Sequence, residues 1–193
     1  PMFEAGDLMI SLRELNLVAV LDPESLHVKW AQHGPWHRQH DPDFIDGDTI
    51  SIYDNYNIGP TASGVQSRIV IENAREGSRR IIFQGSEEVP FFSSIGGKHQ
   101  WLENGNLLLV DFTGGRVLEI DTRGQLIWEF TNLVEPGVAG IVSDGIRLMP
   151  EFDKEYFAAL RAACTRCNGD AESERIVAQS PGYEGRTRRM HNE

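Results

Sequence analysis

Three stretches of this chain repeat one layout of short apolar runs and turns, and that repetition limits the folds open to it. The first runs from Gly6-Asp7 through Met9-Ile10 and Val18-Ala19-Val20-Leu21 to Asp22-Pro23 and His27-Val28-Lys29-Trp30. The second runs from Gly47-Asp48 through Ile50-Ser51-Ile52 and Ile69-Val70-Ile71 to Asn73 and Ile81-Ile82-Phe83. The third runs from Gly105-Asn106 through Leu107-Leu108-Leu109-Val110 and Val117-Leu118-Glu119-Ile120 to Asp121 and Leu126-Ile127-Trp128. Gly6 to Asp22 and Gly105 to Asp121 are both steps of 16 residues; Gly47 to Asn73 is 26. The excess lies around residues 57–64, a Gly-, Pro-, Ser- and Thr-containing stretch of the kind that forms an inserted loop.

Each unit reads as strands separated by turns, closed by an aromatic residue (Trp30, Phe83 or Trp128). Asp46-Gly47 and Asn104-Gly105 suit tight turns, because glycine tolerates positive φ. Short strands recurring at roughly 40–50 residues predict blades of a β-propeller. The expected fold is all-β: a partial propeller of about three four-stranded blades over 1–150, near 1–39, 40–97 and 98–150. One more strand-like stretch covers Val138–Met149. Phe152, Tyr156, Phe157, Leu160 and Ala163 share one helical face, which predicts a C-terminal amphipathic helix within 151–167 whose apolar side docks on the strands. The polar stretch 168–193, with its Arg186-Thr187-Arg188-Arg189 run, is expected to be a disordered tail.

Composition narrows function. The 193 residues carry a net charge of −11, which repels phosphate backbones and argues against a nucleic-acid partner. No apolar run approaches the roughly 20 residues of a membrane helix. The chain opens on Pro1 rather than Met, and three blades are too few for the usual ring of about four to eight. The expectation is a piece of a longer propeller, with any leader sequence lying outside it. Cys164 and Cys167 form a lone C-x-x-C. Its spacing is open to an inert or locally disulfide-bonded pair, half of a metal site, or a redox pair. No set of residues with metal-ligand spacing stands out, and no cofactor is implied.

The segment Trp36-His37-Arg38-Gln39-His40-Asp41-Pro42-Asp43-Phe44 connects the first unit to the second, and Asp54-Asn55 ends the next apolar run. Together with "GGKHQWLENGNLLLVDFTGGRVLEIDTRGQLIWEF", these motifs resemble the arylsulfate sulfotransferase family over about residues 6–150. The resemblance implies transfer of a sulfuryl group from a phenolic sulfate ester to a phenol through a sulfo-histidine. It implies that His40 is the catalytic residue and that Arg13 and Asn55 bind substrate. The small-molecule partners are then an aryl sulfate and a phenol, the location is periplasmic or exported, and a homo-oligomer stays open. Further histidines of the family site would precede residue 1.

The chemistry suits these side chains. Imidazole is neutral near pH 7 and is both a nucleophile and a leaving group. Arginine offers a planar fork to an oxyanion. The plainer readings are a structural His40, an ion-paired Arg13 and an Asn55 that only forms a turn. His33 and His37 read as surface residues. His99 falls one place out of step with His40, at a position where the repeat aligns Lys98. Phe91-Phe92-Ser93-Ser94 reads as packing, or as a wall for a phenol. The alternative function is a propeller that binds a ligand or partner without chemistry. A quinone-cofactor dehydrogenase would need a vicinal cysteine pair or an acidic calcium set, and neither is present.

Overall fold

A computed structural model describes residues 1–58, 64 and 66–164. Cys167 and the stretch 168–193 therefore lie outside the described residues. The fold is all-β with one helix near its C-terminal end.

Three antiparallel meanders follow one another in the chain. The first holds β1 (Leu8–Leu12), β2 (Leu17–Leu21) and β3 (Val28–His33). The second holds β4 (His40–Phe44), β5 (Thr49–Asp54), β6 (Arg68–Asn73) and β7 (Ser78–Gln84). The third holds β8 (Lys98–Trp101), β9 (Leu107–Asp111), β10 (Arg116–Ile120) and β11 (Leu126–Thr131). β1 packs against β4 and β4 against β8, so the sheets stack in order as propeller blades do.

The repeat is physical. Asp22 Oδ1 accepts the backbone N–H groups of Glu24 and Ser25 at 2.8 and 3.1 Å. Asn73 Oδ1 accepts from Glu76 at 2.9 Å, and Asp121 Oδ1 from Arg123 and Gln125, both at 2.8 Å. The turn residue of each unit thus satisfies the backbone donors that a hairpin leaves open. A second repeated device joins Asp54 to Arg68 and Asp111 to Arg116, each pair at 2.7 Å and each facing across a strand pair.

The first sheet departs from expectation, with three strands rather than four. The repeated units correspond to the last three strands of each sheet. The inner strand of the second and third sheets is built from the connector, as β4 and β8. The first sheet has no such strand among the described residues, because Met2 and Phe3 lie on the second sheet instead. Phe3 N–H donates to Gly47 O at 2.8 Å and Met2 N–H to Asp48 Oδ1 at 2.7 Å.

The second sheet is buried on both faces. Alternation along β5 sends Ile50 and Ile52 towards the first sheet, where they pack with Phe3, Val18, Val20 and Trp36. Tyr53 packs on the other side with Ile69, Phe83, Phe91, Leu107, Leu109, Leu118 and Ile120. Burial on two faces matches the Ile69-Val70-Ile71 run of β6, while β5 carries Ser51 into the seam with partners.

The end of the chain differs from expectation in two places. The stretch expected as a strand over Val138–Met149 pairs only at β13 (Val138–Ala139), with β12 (Leu133–Glu135). Beyond it the chain crosses the third sheet held by side chains: Arg147 N–H donates to Gln100 Oε1 at 2.7 Å, and Gln100 Nε2 donates to Arg147 O at 3.2 Å. The helix α1 (Lys154–Ala163) forms with Asp153 as its N-cap, but Tyr156, Phe157 and Leu160 stay exposed. Its apolar residues pack on one another, Phe152 to Tyr156 and Tyr156 to Phe157. A helical period defines a face and not what covers it, so the expected docking on the strands does not follow.

Leu109 is fully buried between the second and third sheets. Leu109→Ala is expected to destabilise the fold by about 2–5 kcal/mol, read by denaturant unfolding; a loss below that range would mean the seam collapses around the gap.

Candidate functional site

His40 opens β4 on a distorted backbone. Arg38 and Asp41 take left-handed conformations, with φ of 57° and 47°. Asp41 also precedes Pro42, and the residue before a proline is normally held in extended backbone. The register of β4 on β5 slips between His40 and Asp43. Left-handed non-glycine residues and bulges mark places where surrounding structure holds a side chain in a set direction.

The surrounding structure is well defined. Gln39 is fully buried, and its Nε2 donates to Leu17 O at 3.0 Å and Ser11 Oγ at 3.1 Å. This amide ties the start of β4 to the first sheet. The Asp54 carboxylate is also fully buried. Its Oδ1 accepts the backbone N–H groups of His37 and Tyr56, both at 2.8 Å, while Oδ2 accepts from Arg68 Nε at 2.7 Å. Arg68 in turn lies 3.9 Å from the centre of the Tyr56 ring. A single carboxylate therefore anchors both chain segments that flank the histidine.

Asn55 then orients the imidazole. Its Nδ2 donates to Ser93 O at 2.9 Å and to Gly96 O at 2.7 Å. Two carbonyls on one side leave Oδ1 on the other, 2.7 Å from His40 Nδ1. An amide oxygen can only accept, so Nδ1 carries the proton and Nε2 keeps its lone pair. Gly96 N–H faces that lone pair at 3.4 Å.

Gly96 and Gly97 make this approach possible. Both have positive φ, and a Cβ on Gly97 would stand 2.4 Å from the Tyr53 ring. Only glycine lets the loop before β8 press so closely on β5. Ser93 falls in the stretch read as packing or a phenol wall, and Gly96 and Gly97 in the family-like motif, but none was expected to hold the imidazole as this loop's backbone does. The consecutive glycines were the available signal.

The structure joins His40 to Asn55 by a hydrogen bond, while Arg13 pairs with Glu14. Asn55 is fully buried with its amide engaged, which places it behind the imidazole. Arg13 begins a one-turn 3-10 helix after β1 and pairs with Glu14. Its Nε is buried without a hydrogen-bond partner. Burial, and next the charge of Arg38, hold the Arg13 guanidinium below its ordinary pKa. Of the neighbouring histidines, His33 is exposed and bonded to Leu15 O at 2.8 Å. His37 is half-buried rather than on the surface, edge-on to Tyr56 at 5.6 Å. Phe91 is fully buried core, and Phe92 is exposed.

The family model described as arylsulfotransferase (ASST) matches residues 1–133. This chain belongs to the arylsulfotransferase family. Curated proteins supply no match to it. Among solved structures, a protein of unknown function from Bacteroides caccae is similar at 15% identity with a TM-score of 0.37, over 64% of this chain and 39% of that one. A likeness that low carries no argument about the site. The chain thus spans well under half the length of that relative. No helix among the described residues is long and apolar enough to cross a membrane.

The Asn55 contact makes a prediction for this arylsulfotransferase-family chain. In nitrogen-15 spectra at neutral pH, His40 is expected to show a protonated Nδ1 and a bare Nε2. Asn55→Ala should release the ring to the tautomer mixture of free imidazole. A wild-type ring protonated at Nε2 would contradict the assigned orientation.

Proposed function

We propose that this chain carries the sulfuryl-accepting histidine of an arylsulfotransferase, and that His40 Nε2 is the attacking atom. The observation that supports this reading is the Asn55 amide, whose two carbonyl contacts leave its oxygen to hold the proton on Nδ1. A histidine held in that tautomer is set up as a nucleophile without needing a base of its own.

The transfer follows from these atoms. The Nε2 lone pair attacks the sulfur of a phenolic sulfate, an N–S bond forms, and the S–O bond to the aryl group breaks. The electron pair leaves with the phenolate. The sulfo-imidazole keeps its Nδ1 proton, and the Asn55 oxygen stabilises the positive charge that the ring acquires. An acceptor phenol then loses its proton and attacks the same sulfur. The N–S bond breaks and its pair returns to Nε2. The proton lost by the acceptor balances the one gained by the released phenolate. Arg13, whose buried Nε lacks a partner, supplies a donor for the sulfate oxygens in this scheme. Asn55 acts as a positioning residue.

One observation favours a second reading, a ligand-binding module without chemistry: Gly96 N–H already faces the Nε2 lone pair at 3.4 Å. Kinetics separate the two. The protein carrying this sequence should release nitrophenolate from 4-nitrophenyl sulfate when phenol is present, with ping-pong kinetics. His40→Asn should lower kcat/KM by more than about 10³-fold and abolish the sulfuryl adduct on the peptide holding residue 40. Asn55→Ala should lower kcat on the order of 10²-fold with little change in KM, as loss of a tautomer-fixing group does. Full transfer in the His40 variant would remove the histidine from the mechanism, and ligand binding without turnover in the wild type would favour the second reading.

A further inference from the structure

A buried imidazole at the seam between the second and third sheets has one ring nitrogen without a partner. His99 lies in β8 with its side chain fully buried, and its Nδ1 makes no hydrogen bond. Asp41 Oδ2 stands 3.3 Å from that nitrogen, out of alignment for a hydrogen bond. Asp43 Oδ2 stands 3.9 Å from the other nitrogen, Nε2. Ligand atoms from Asp41, Asp43 and His99 all lie within 4.8 Å of one another. These residues are brought together by the bulge in β4 and by the packing of β4 against β8.

We propose that Asp41, Asp43 and His99 form a site for a divalent transition cation of the zinc type, which staples β4 to β8. Two carboxylates and an imidazole are a hard-to-borderline donor set that suits such an ion. Tetrahedral bonds of about 2.0–2.2 Å hold neighbouring ligand atoms roughly 3.3–3.5 Å apart, and the Asp41–His99 separation already matches. The Asp43 side chain is 49% exposed, so it can turn to close the site and admit the ion from solvent.

The groups around the cluster support this role. His99 Nε2 lies 2.7 Å from Ser51 Oγ, which also accepts the Trp101 indole N–H at 3.1 Å. A hydroxyl oxygen has two lone pairs and can accept from both donors. With the His99 proton held on Nε2, the Nδ1 lone pair faces Asp41, and Asp43, nearer Nε2, must turn to reach an ion bound there. Burial, and then the Asp41 charge acting against the pull of His99, leave the Asp43 carboxyl above its ordinary range. Lys98, whose charge also reaches both carboxylates, is bonded to Asp144 at 3.0 Å. The order Asp41, His99, Ser51 looks like a hydrolytic triad, but Ser51 is fully buried and no substrate can reach its oxygen.

The full chain, stripped with a chelator, tests the proposal by calorimetric titration and thermal melting with zinc and manganese, and with magnesium for comparison. Zinc is expected to bind one site per chain, raise Tm and outcompete magnesium, and to weaken as pH falls because the ligands must be deprotonated. Asp43→Asn changes a half-exposed group, so the fold should persist while zinc affinity drops by more than about tenfold. Cobalt in place of zinc should show a tetrahedral visible band in the wild type that Asp43→Asn loses. Replacing both Cys164 and Cys167 by Ser keeps their sulfur atoms from contributing and should leave the binding intact. The proposal is overturned by no zinc-dependent rise in Tm in the wild type, or by unchanged zinc affinity in Asp43→Asn.

Discussion

The Asn55 side chain is the contact on which the candidate site depends. Its nitrogen reaches two carbonyls in the loop before β8, and its oxygen reaches the imidazole at the start of β4. An amide has a fixed sense of donor and acceptor, so meeting the two carbonyls decides the tautomer of His40. Asp54, one residue earlier, gathers His37, Tyr56 and Arg68 on a fully buried carboxylate. Removing one partner of such a buried charge strands the other, which costs more than the pair contributes. The histidine is thus positioned by groups that cannot shift singly.

Those groups sit on the second sheet because it is the sheet covered on both faces. Ile50 and Ile52 close against the first sheet, while Ser51 and Tyr53 face the third. The two-residue period of a strand divides one short run between two cores. Ser51 and Asn55 enter the seam with partners: Ser51 with His99 and Trp101, and Asn55 with Ser93 and Gly96. A buried seam makes such bonds strong and makes an unpaired nitrogen such as His99 Nδ1 costly.

Much of the blade pattern was legible in the chain. Asp22, Asn73 and Asp121 end their runs where turns need an oxygen acceptor, and each accepts the expected backbone donors. His40 and Asn55 stood out through a motif that resembles the arylsulfotransferase family. The contacts of Ser93 and Gly96 did not, because they run through backbone carbonyls and an N–H group that nearly every residue type possesses. His99 was set aside because it falls out of step with His40. The register agrees, since His40 pairs with Tyr53 beside Asp54 as Lys98 pairs with Val110 beside Asp111; His99 acts at the seam from its own place in β8.

Most strands, their turns and the family follow from apolar period, turn chemistry and local motif, all of which lie in consecutive residues. The tertiary structure alone decided which side chains meet. His40 and Gly96 lie 56 positions apart, and His99 and Asp41 lie 58 apart. Their meeting depends on how one sheet stacks on the next and on where a bulge turns the chain. It also decided that α1 keeps its apolar face exposed, and that residues 1–7 add no inner strand to the first sheet. Local pattern sets which face of an element is apolar; only the packed fold sets what that face touches.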